Sequence, residues 1–274
     1  MGTFHFVTLG YSPGVVTCPL YILSKYMAKE MPGGVQKVLI FTPSELREKT
    51  LGEFIKESKS IKKPTFFIKN NDVTKRYLHL SIPEIAERVL SEYVDVKEDI
   101  EIIYLPDKVN VSRMLPIFAE HFAEHWKHRN NVWVNPAGGT VPMSIAIMFM
   151  AQLYAAAGKI YYTYAHPGSE RYLIPPDNWK EHFELTMLPI FPTFLHRAYI
   201  LTLQHVRKAR SKEEILSFLR ANNEEVDDNR LRWMLLRLES YGYIEKTQRK
   251  VVLSSRGQEV LKVIDKIAKL FPRG

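Results

Sequence analysis

The chain has 274 residues, 46% of them hydrophobic and 25% charged, which is globular composition and excludes wholesale disorder or a collagen-like repeat. A single cysteine, Cys18, excludes an internal disulfide framework, and the longest apolar run, 143–157, contains Gln152 and is too short to cross a bilayer. The start MGTFHFVTLG lacks the shape of a secretory leader, so a cytoplasmic protein with no membrane partner is expected.

The net charge of +8 is unevenly placed. Residues 1–191 hold 21 Lys and Arg against 20 Asp and Glu, a balance of +1, whereas residues 192–274 hold 17 against 10, a balance of +7. A basic segment beside a near-neutral one suggests two jobs, the basic part facing a polyanion.

Strand-like runs fall at 4–9, 37–41, 101–105, 132–135, 159–164 and 184–190, with helical patterns near 15–30, 44–58, 79–96, 111–128 and 141–157 between them. Strands separated by helices of this length predict right-handed crossovers and an α/β, Rossmann-like, mostly parallel sheet. His166-Pro167-Gly168-Ser169 reads as a hairpin turn joining 161–165 to 171–174. Pro189 and Pro192 mark a joint, so a first domain is expected over 1–191 and a second over 192–274.

Two glycine-bearing loops stand where chemistry is expected. Gly10-Tyr11-Ser12-Pro13-Gly14 ends the first strand and precedes the first helix. Asn135-Pro136-Ala137-Gly138-Gly139-Thr140-Val141-Pro142-Met143 follows a buried strand and opens a long apolar helix. Glycines let backbone amides turn outward, and a helix N-terminus offers unpaired N–H groups and a favourable dipole, so phosphate suits both loops. The same glycines would also serve simply to make tight strand–helix turns. In open parallel sheets ligands lie beyond the carboxyl ends of the strands, where the strand order reverses.

Thr8-Leu9-Gly10-Tyr11-Ser12-Pro13 and 135–143 resemble the two signature regions of CARF domains, the Rossmann-like sensors of CRISPR systems. The second region of that family runs Asn-x-Thr-Gly-Gly-Thr-Lys-x-Met; this chain keeps Asn135, Gly138, Gly139, Thr140 and Met143, and departs from it at Ala137 and Val141. The resemblance covers about residues 1–190 and implies a homodimer that binds a cyclic oligoadenylate, taken as cyclic tetra-adenylate, across its two-fold axis. Carried onto this sequence, the ligand-binding positions are Gly10, Tyr11, Ser12, Pro13, Asn135, Ala137, Gly138, Gly139, Thr140 and Met143.

The basic segment resembles a winged helix-turn-helix. A helix near 193–208 is followed by Ser211-Lys212-Glu213-Glu214, a capping box that opens a second helix. Asp227 or Asp228 caps a third, which Gly242 ends, and two short strands follow around Thr247-Gln248-Arg249 before a last helix over 255–269. On the third helix Leu231, Leu235 and Leu238 should face the core, leaving Arg230, Arg232, Trp233 and Arg237 outward for base edges and phosphates. Arg249 and Lys250 at the wing tip would reach the backbone of double-stranded DNA.

CARF sensors fused to winged helices form a regulator type in archaeal CRISPR systems, and the chain resembles that type. Three functions compete: a ligand-gated transcriptional regulator, a ring nuclease that cuts its own cyclic ligand with the winged helix as a dimerisation or docking module, and an effector ribonuclease. The last is disfavoured because 193–274 lacks the Arg-x(4–6)-His spacing of related effectors. The second lacks a Lys at Val141, for which Lys108 or Arg113 would have to substitute. No catalytic residue, metal or cofactor is assigned. His121, His125 and His128 have helical spacing and read as a solvated face rather than a metal site, and Tyr161, Tyr162 and Tyr164 read as core packing.

Overall fold

The strand-like runs become six strands whose edges lie within a few residues of their sequence limits: β1 (Thr3–Leu9), β2 (Val35–Pro43), β3 (Ile100–Leu105), β4 (Asn131–Gly138), β5 (Lys159–Ala165) and β6 (Phe183–Leu188). The computed structural model describes residues 2–31, 33–57, 76–127, 131–152, 157–169, 172–188, 197–247, 250–258 and 260–261. The chain divides into two compact units, 1–151 with 160–188, and 152–159 with 189–274.

In the first unit the strands form one sheet in the order β3-β2-β1-β4-β5-β6. The pairs β1–β2, β1–β4 and β2–β3 are parallel, and β6 runs antiparallel to β5 at the edge. The architecture is therefore the Rossmann-like α/β sheet the sequence implies. Parallel neighbours need crossovers, and the helices supply them: α1 (Gly14–Tyr26), α2 (Leu51–Glu57), α3 (Ile82–Tyr93), α4 (Val111–Lys127) and α5 (Val141–Gln152). The pattern at 44–58 splits into a 3-10 turn at Ser44–Leu46 and the short α2. Ser81 and Glu84 close a capping box at the start of α3.

Strand β1 shows how the two faces are filled, because successive side chains point to opposite sides. Val7 and Leu9 join Val16, Leu20 and Leu23 of α1 and Ile85, Val89 and Leu90 of α3 in one core. Phe6 turns to the other face, 4.8 Å from Phe122 of α4, while the Phe41 ring of β2 lies tilted 4.7 Å from Phe118.

Three expectations need correction. His166–Ser169 does turn, with the Ser169 amide 2.8 Å from the His166 carbonyl, but the strand paired with β5 is β6, not 171–174. Residues 172–173 instead pack on α1, where the Cys18 thiol donates to the Tyr172 carbonyl (3.3 Å) and Thr17 Oγ1 donates to the Leu173 carbonyl. His125 is buried rather than solvated, its ring 4.7 Å from Phe4 and 5.2 Å from Phe6, and burial lowers its pKa. His121 lies 5.5 Å from the Phe41 ring, and His128 is outside the described residues. Of the three tyrosines only Tyr161 enters the core; Tyr162 and Tyr164 alternate outward, as period-two geometry requires.

The second unit contains α6 (Arg197–His205), α7 (Lys212–Ala221), α8 (Asp228–Ser240) and the hairpin β7 (Ile244–Lys246) and β8 (Val251–Leu253). The capping box at α7 is present in both directions: Glu214 N donates to Ser211 Oγ (3.2 Å) and Ser211 N to Glu214 Oε2 (2.7 Å). Asp227 caps α8 by accepting from Arg230 N at 2.6 Å, and Gly242 ends it at φ +68°. Leu231, Leu235 and Leu238 are buried as expected, together with Met234. Arg210 exchanges two backbone hydrogen bonds with Val251, adding a third short edge to the hairpin. Residues 255–258 are helical, and most of the expected last helix lies outside the described residues.

Candidate functional site

The strand order reverses between β1 and β4, so the crevice beyond their carboxyl ends is where a ligand of such a sheet belongs. Both glycine loops open there and are clasped together. Gly10 N donates to the Gly138 carbonyl at 2.5 Å, and Gly139 N donates to Thr8 Oγ1 at 3.0 Å. Such closeness requires glycine: a Cβ at Gly138 would lie 2.0 Å from the Thr8 carbonyl oxygen, and one at Gly10 2.8 Å from that of Gly138. A Cβ at Gly139 would come within 2.8 Å of Thr8 Cβ, so an aspartate there would disturb the fold as well as any ligand.

The motif residues separate into frame and rim. Asn135 is fully buried; its Nδ2 donates to the Val15 carbonyl (3.1 Å) and its Oδ1 accepts from Ala137 N (3.0 Å). It shapes the loop and ties it to α1. Met143, Gly10 and Pro13 are also buried. Ala137, Gly138, Gly139, Thr140 and Ser12 are half-buried, and Tyr11 is exposed. Ser12 Oγ is shielded from solvent and has no hydrogen-bond partner among the described residues. At the start of α5, Pro142 has no amide proton, so the first turn presents those of Val141 and Met143 instead.

Two rim residues come from elsewhere. Thr140 Oγ1 donates to the Lys108 carbonyl at 2.7 Å, tying the loop after β3 to the start of α5. The Lys108 ammonium donates to Glu45 Oε1 (2.6 Å) and lies 3.5 Å from the Tyr11 hydroxyl, which donates to the same Glu45 oxygen at 2.6 Å. Tyr11, Glu45 and Lys108 thus bring together the ends of β1, β2 and β3. Burial and the Glu45 carboxylate raise the Tyr11 pKa, keeping the phenol protonated at neutral pH. Burial alone would raise the Glu45 carboxyl, but hydrogen bonds from Lys108 and Tyr11 outweigh it and hold the group below its ordinary value. The hydrogen bond to Glu45 raises the Lys108 pKa. Arg113 is turned to solvent and pairs with Asp107 at 3.7 Å.

Glu45 was hidden in the sequence inside an amphipathic helical pattern. Its position one turn beyond a parallel strand is the signal that would have marked it.

On α8, Arg230, Arg232 and Trp233 are exposed and Arg237 is half-buried. Arg230 also donates to the Glu225 carbonyl (2.7 Å), which braces the turn before the helix. Lys250 is exposed; Arg249 lies outside the described residues. Lys212, Lys246 and Lys250 line a surface depression of about 520 Å³ between the start of α7 and the hairpin. Among the described residues no cluster of side chains could hold a metal ion, and no helix is long and apolar enough to cross a membrane.

No family model matches the chain. No curated protein matches it. Among solved structures it is similar to Csm6 from Enterococcus italicus bound to cyclic hexa-2'-fluoro-hexa-dAMP, with TM-score 0.44 and 13% identity over 100% of this chain and 59% of that one. It is also similar to VC1899 from Vibrio cholerae, with TM-score 0.39 and 8% identity over 98% and 69% of the two chains. A third is Can2 from Sulfobacillus thermosulfidooxidans in complex with cyclic tetra-adenylate, with TM-score 0.31 and 11% identity over 98% and 69%. The chain therefore spans 59% of the length of the Csm6 chain. At such scores and identities the architecture is read from this chain's own strands.

Proposed function

We propose that the chain is a cyclic-oligoadenylate sensor that regulates transcription through DNA contacts made by its basic second unit. The observation that carries the sensor reading is the meeting of both glycine loops at the reversal of strand order, with the Lys108 ammonium beside them. Those loops hold the residues that resemble the CARF signatures, and a cation with helix-start amides suits a ligand made of phosphodiesters.

Binding is favoured over cleavage by the state of the rim. Ring opening would require removal of a ribose 2'-hydroxyl proton as its oxygen attacks phosphorus and the 5'-oxygen leaves. Tyr11 is held protonated, so the phenol is not placed as a ready base. Calorimetric titration with cyclic tetra- and hexa-adenylate tests the sensor. Stoichiometric binding of one ring per two chains is expected, and no heat at tens of micromolar would refute it.

A self-complementary ring calls for a two-fold dimer. On α5, Val141, Ile145 and Phe149 stand at i, i+4 and i+8 and are 73%, 54% and 49% exposed, an apolar stripe suited to a second copy. Light scattering should give about twice the 31.9 kDa chain mass, and Ile145→Asp should lower it to one chain.

The second unit has the helix order and hairpin of a winged helix-turn-helix, with Arg230, Arg232 and Trp233 on the outer surface of α8 and Lys250 on the hairpin. This supports reading of DNA by α8 with backbone contacts from the wing.

A further inference from the structure

Glu45 places a carboxylate among the positive and hydrogen-donating groups at the rim described above. Its Oε1 accepts from the Tyr11 hydroxyl and from the Lys108 ammonium, both at 2.6 Å. One oxygen thus joins a donor from the loop after β1 to a donor from the loop after β3, as a phosphate oxygen would. The Lys108 and Glu45 side chains are 38% and 41% exposed, so the pair sits on an open rim where a solute can compete for it. The backbone of Lys108 is fixed through its carbonyl to Thr140 at the start of α5, whereas Glu45 rises from the 3-10 turn Ser44–Leu46.

We propose that Glu45 is an internal stand-in for a ligand phosphate: a phosphodiester takes its place on Lys108 and Tyr11, and the displaced carboxylate sets the concentration at which the site responds. This deepens the proposed function and rests on it. Lys108 is then a binding residue despite lying outside both glycine motifs. Glu45 is a specificity residue that acts against every anion and yields to those that can also engage the clasped loops. Its carboxylate repels the incoming phosphate, and that penalty falls with salt.

The test is a double-mutant cycle on the full-length chain, read by calorimetric titration with cyclic tetra-adenylate at low and high salt. Glu45→Gln keeps the shape and removes the charge, and should tighten binding roughly tenfold at low salt and less at high salt. Lys108→Met should weaken binding, and in that background Glu45→Gln should tighten it clearly less than in the native chain, because the competition for Lys108 is gone and only that for Tyr11 and the charge repulsion remain. Glu48→Gln, which neutralises an exposed carboxylate three residues further along the chain, is the control for charge alone and should stay within about twofold of the native chain. Glu45→Ala gives a second reading should the glutamine variant melt early.

If the native chain does not bind the ring, both this inference and the sensor reading fall. If it binds and Glu45→Gln leaves affinity unchanged, weakens it, or tightens it equally with and without Lys108, the stand-in role is wrong while the sensor reading remains.

Discussion

His5 should make the first unit lose stability in mild acid, and its replacement should reverse an order of stability within the pH range of ordinary buffers. The ring is fully buried on β1, 5.7 Å from Trp133, with Nε2 2.9 Å from Thr3 Oγ1 and Nδ1 3.2 Å from the Tyr161 hydroxyl. Thr3 Oγ1 donates to the Gly34 carbonyl at 3.0 Å, so it accepts from His5 Nε2–H, and Nδ1 is left to accept from Tyr161. This wiring fits the neutral ring, and burial pushes the pKa from 6.5 down to about 3. In the unfolded chain the ring charges below about pH 6.5, so the unfolded state binds the extra proton first. Stability is therefore complete above that pH and is lost as pH falls toward 3, at about 1.4 kcal/mol per unit.

His5→Phe keeps an aromatic ring but orphans the buried Tyr161 hydroxyl, at a cost of about 1–3 kcal/mol at pH 7.5. It also removes the slope. With a midpoint cost of about 2 kcal/mol, the two stability curves should cross near pH 5. Urea unfolding followed by tryptophan fluorescence from pH 7.5 to 4.5 reads this, since Trp133 reports the same core. His125 contributes its own acid sensitivity to both proteins. Parallel pH profiles with no crossing would refute the assignment of a neutral, hydrogen-bonded His5.

Gly138→Ala should cost about 4 kcal/mol or more in chemical denaturation, because its Cβ would meet the Thr8 carbonyl, whereas Gly168→Ala, at φ +85° with nothing within 4 Å, should cost only about 1–2 kcal/mol. Equal losses would mean the clasp relaxes freely. Ser211→Ala removes the cap of α7 and should lower the stability of the second unit by about 1 kcal/mol in thermal melts, with Ser211→Gly milder. In gel shifts across a salt series, Arg249→Ala and Lys250→Ala should weaken binding on all DNA sequences and flatten the salt slope by about 1 per charge. Arg232→Ala or Arg237→Ala should cost roughly 1–3 kcal/mol chiefly on the operator, and a full-length chain that ignores DNA at low salt would refute the regulator reading.

The fold was legible because apolar runs and helical periods alternate cleanly through β1 to β5, and parallel order follows from that alternation. The α7 capping box and the Leu231–Leu235–Leu238 face were legible for the same local reason: each is set by residues within one or two turns. What escaped depends on distant partners. The pairing of β5 with β6 across an intervening segment, the burial of His125 against Phe4 and Phe6, and the meeting of Tyr11, Glu45 and Lys108 are all tertiary. The glycine loops read from the sequence as ligand-facing. Their contacts show that close packing against Thr8 is itself sufficient reason for Gly138 and Gly139, and that Asn135 acts from within the loop.

The clasp between Gly10 and Gly138 has a consequence for how this site can change over generations. Backbone is locked to backbone there, so neither Gly10 nor Gly138 accepts a side chain without moving its neighbour. Variation that retunes the site has little room at the centre and must enter from the periphery, through Tyr11, Glu45 and Lys108, whose part-exposed side chains meet from three separate strand ends. A saturation library should show that division as two populations: near-lethal positions at the clasp, and a rim where substitutions leave the sheet intact.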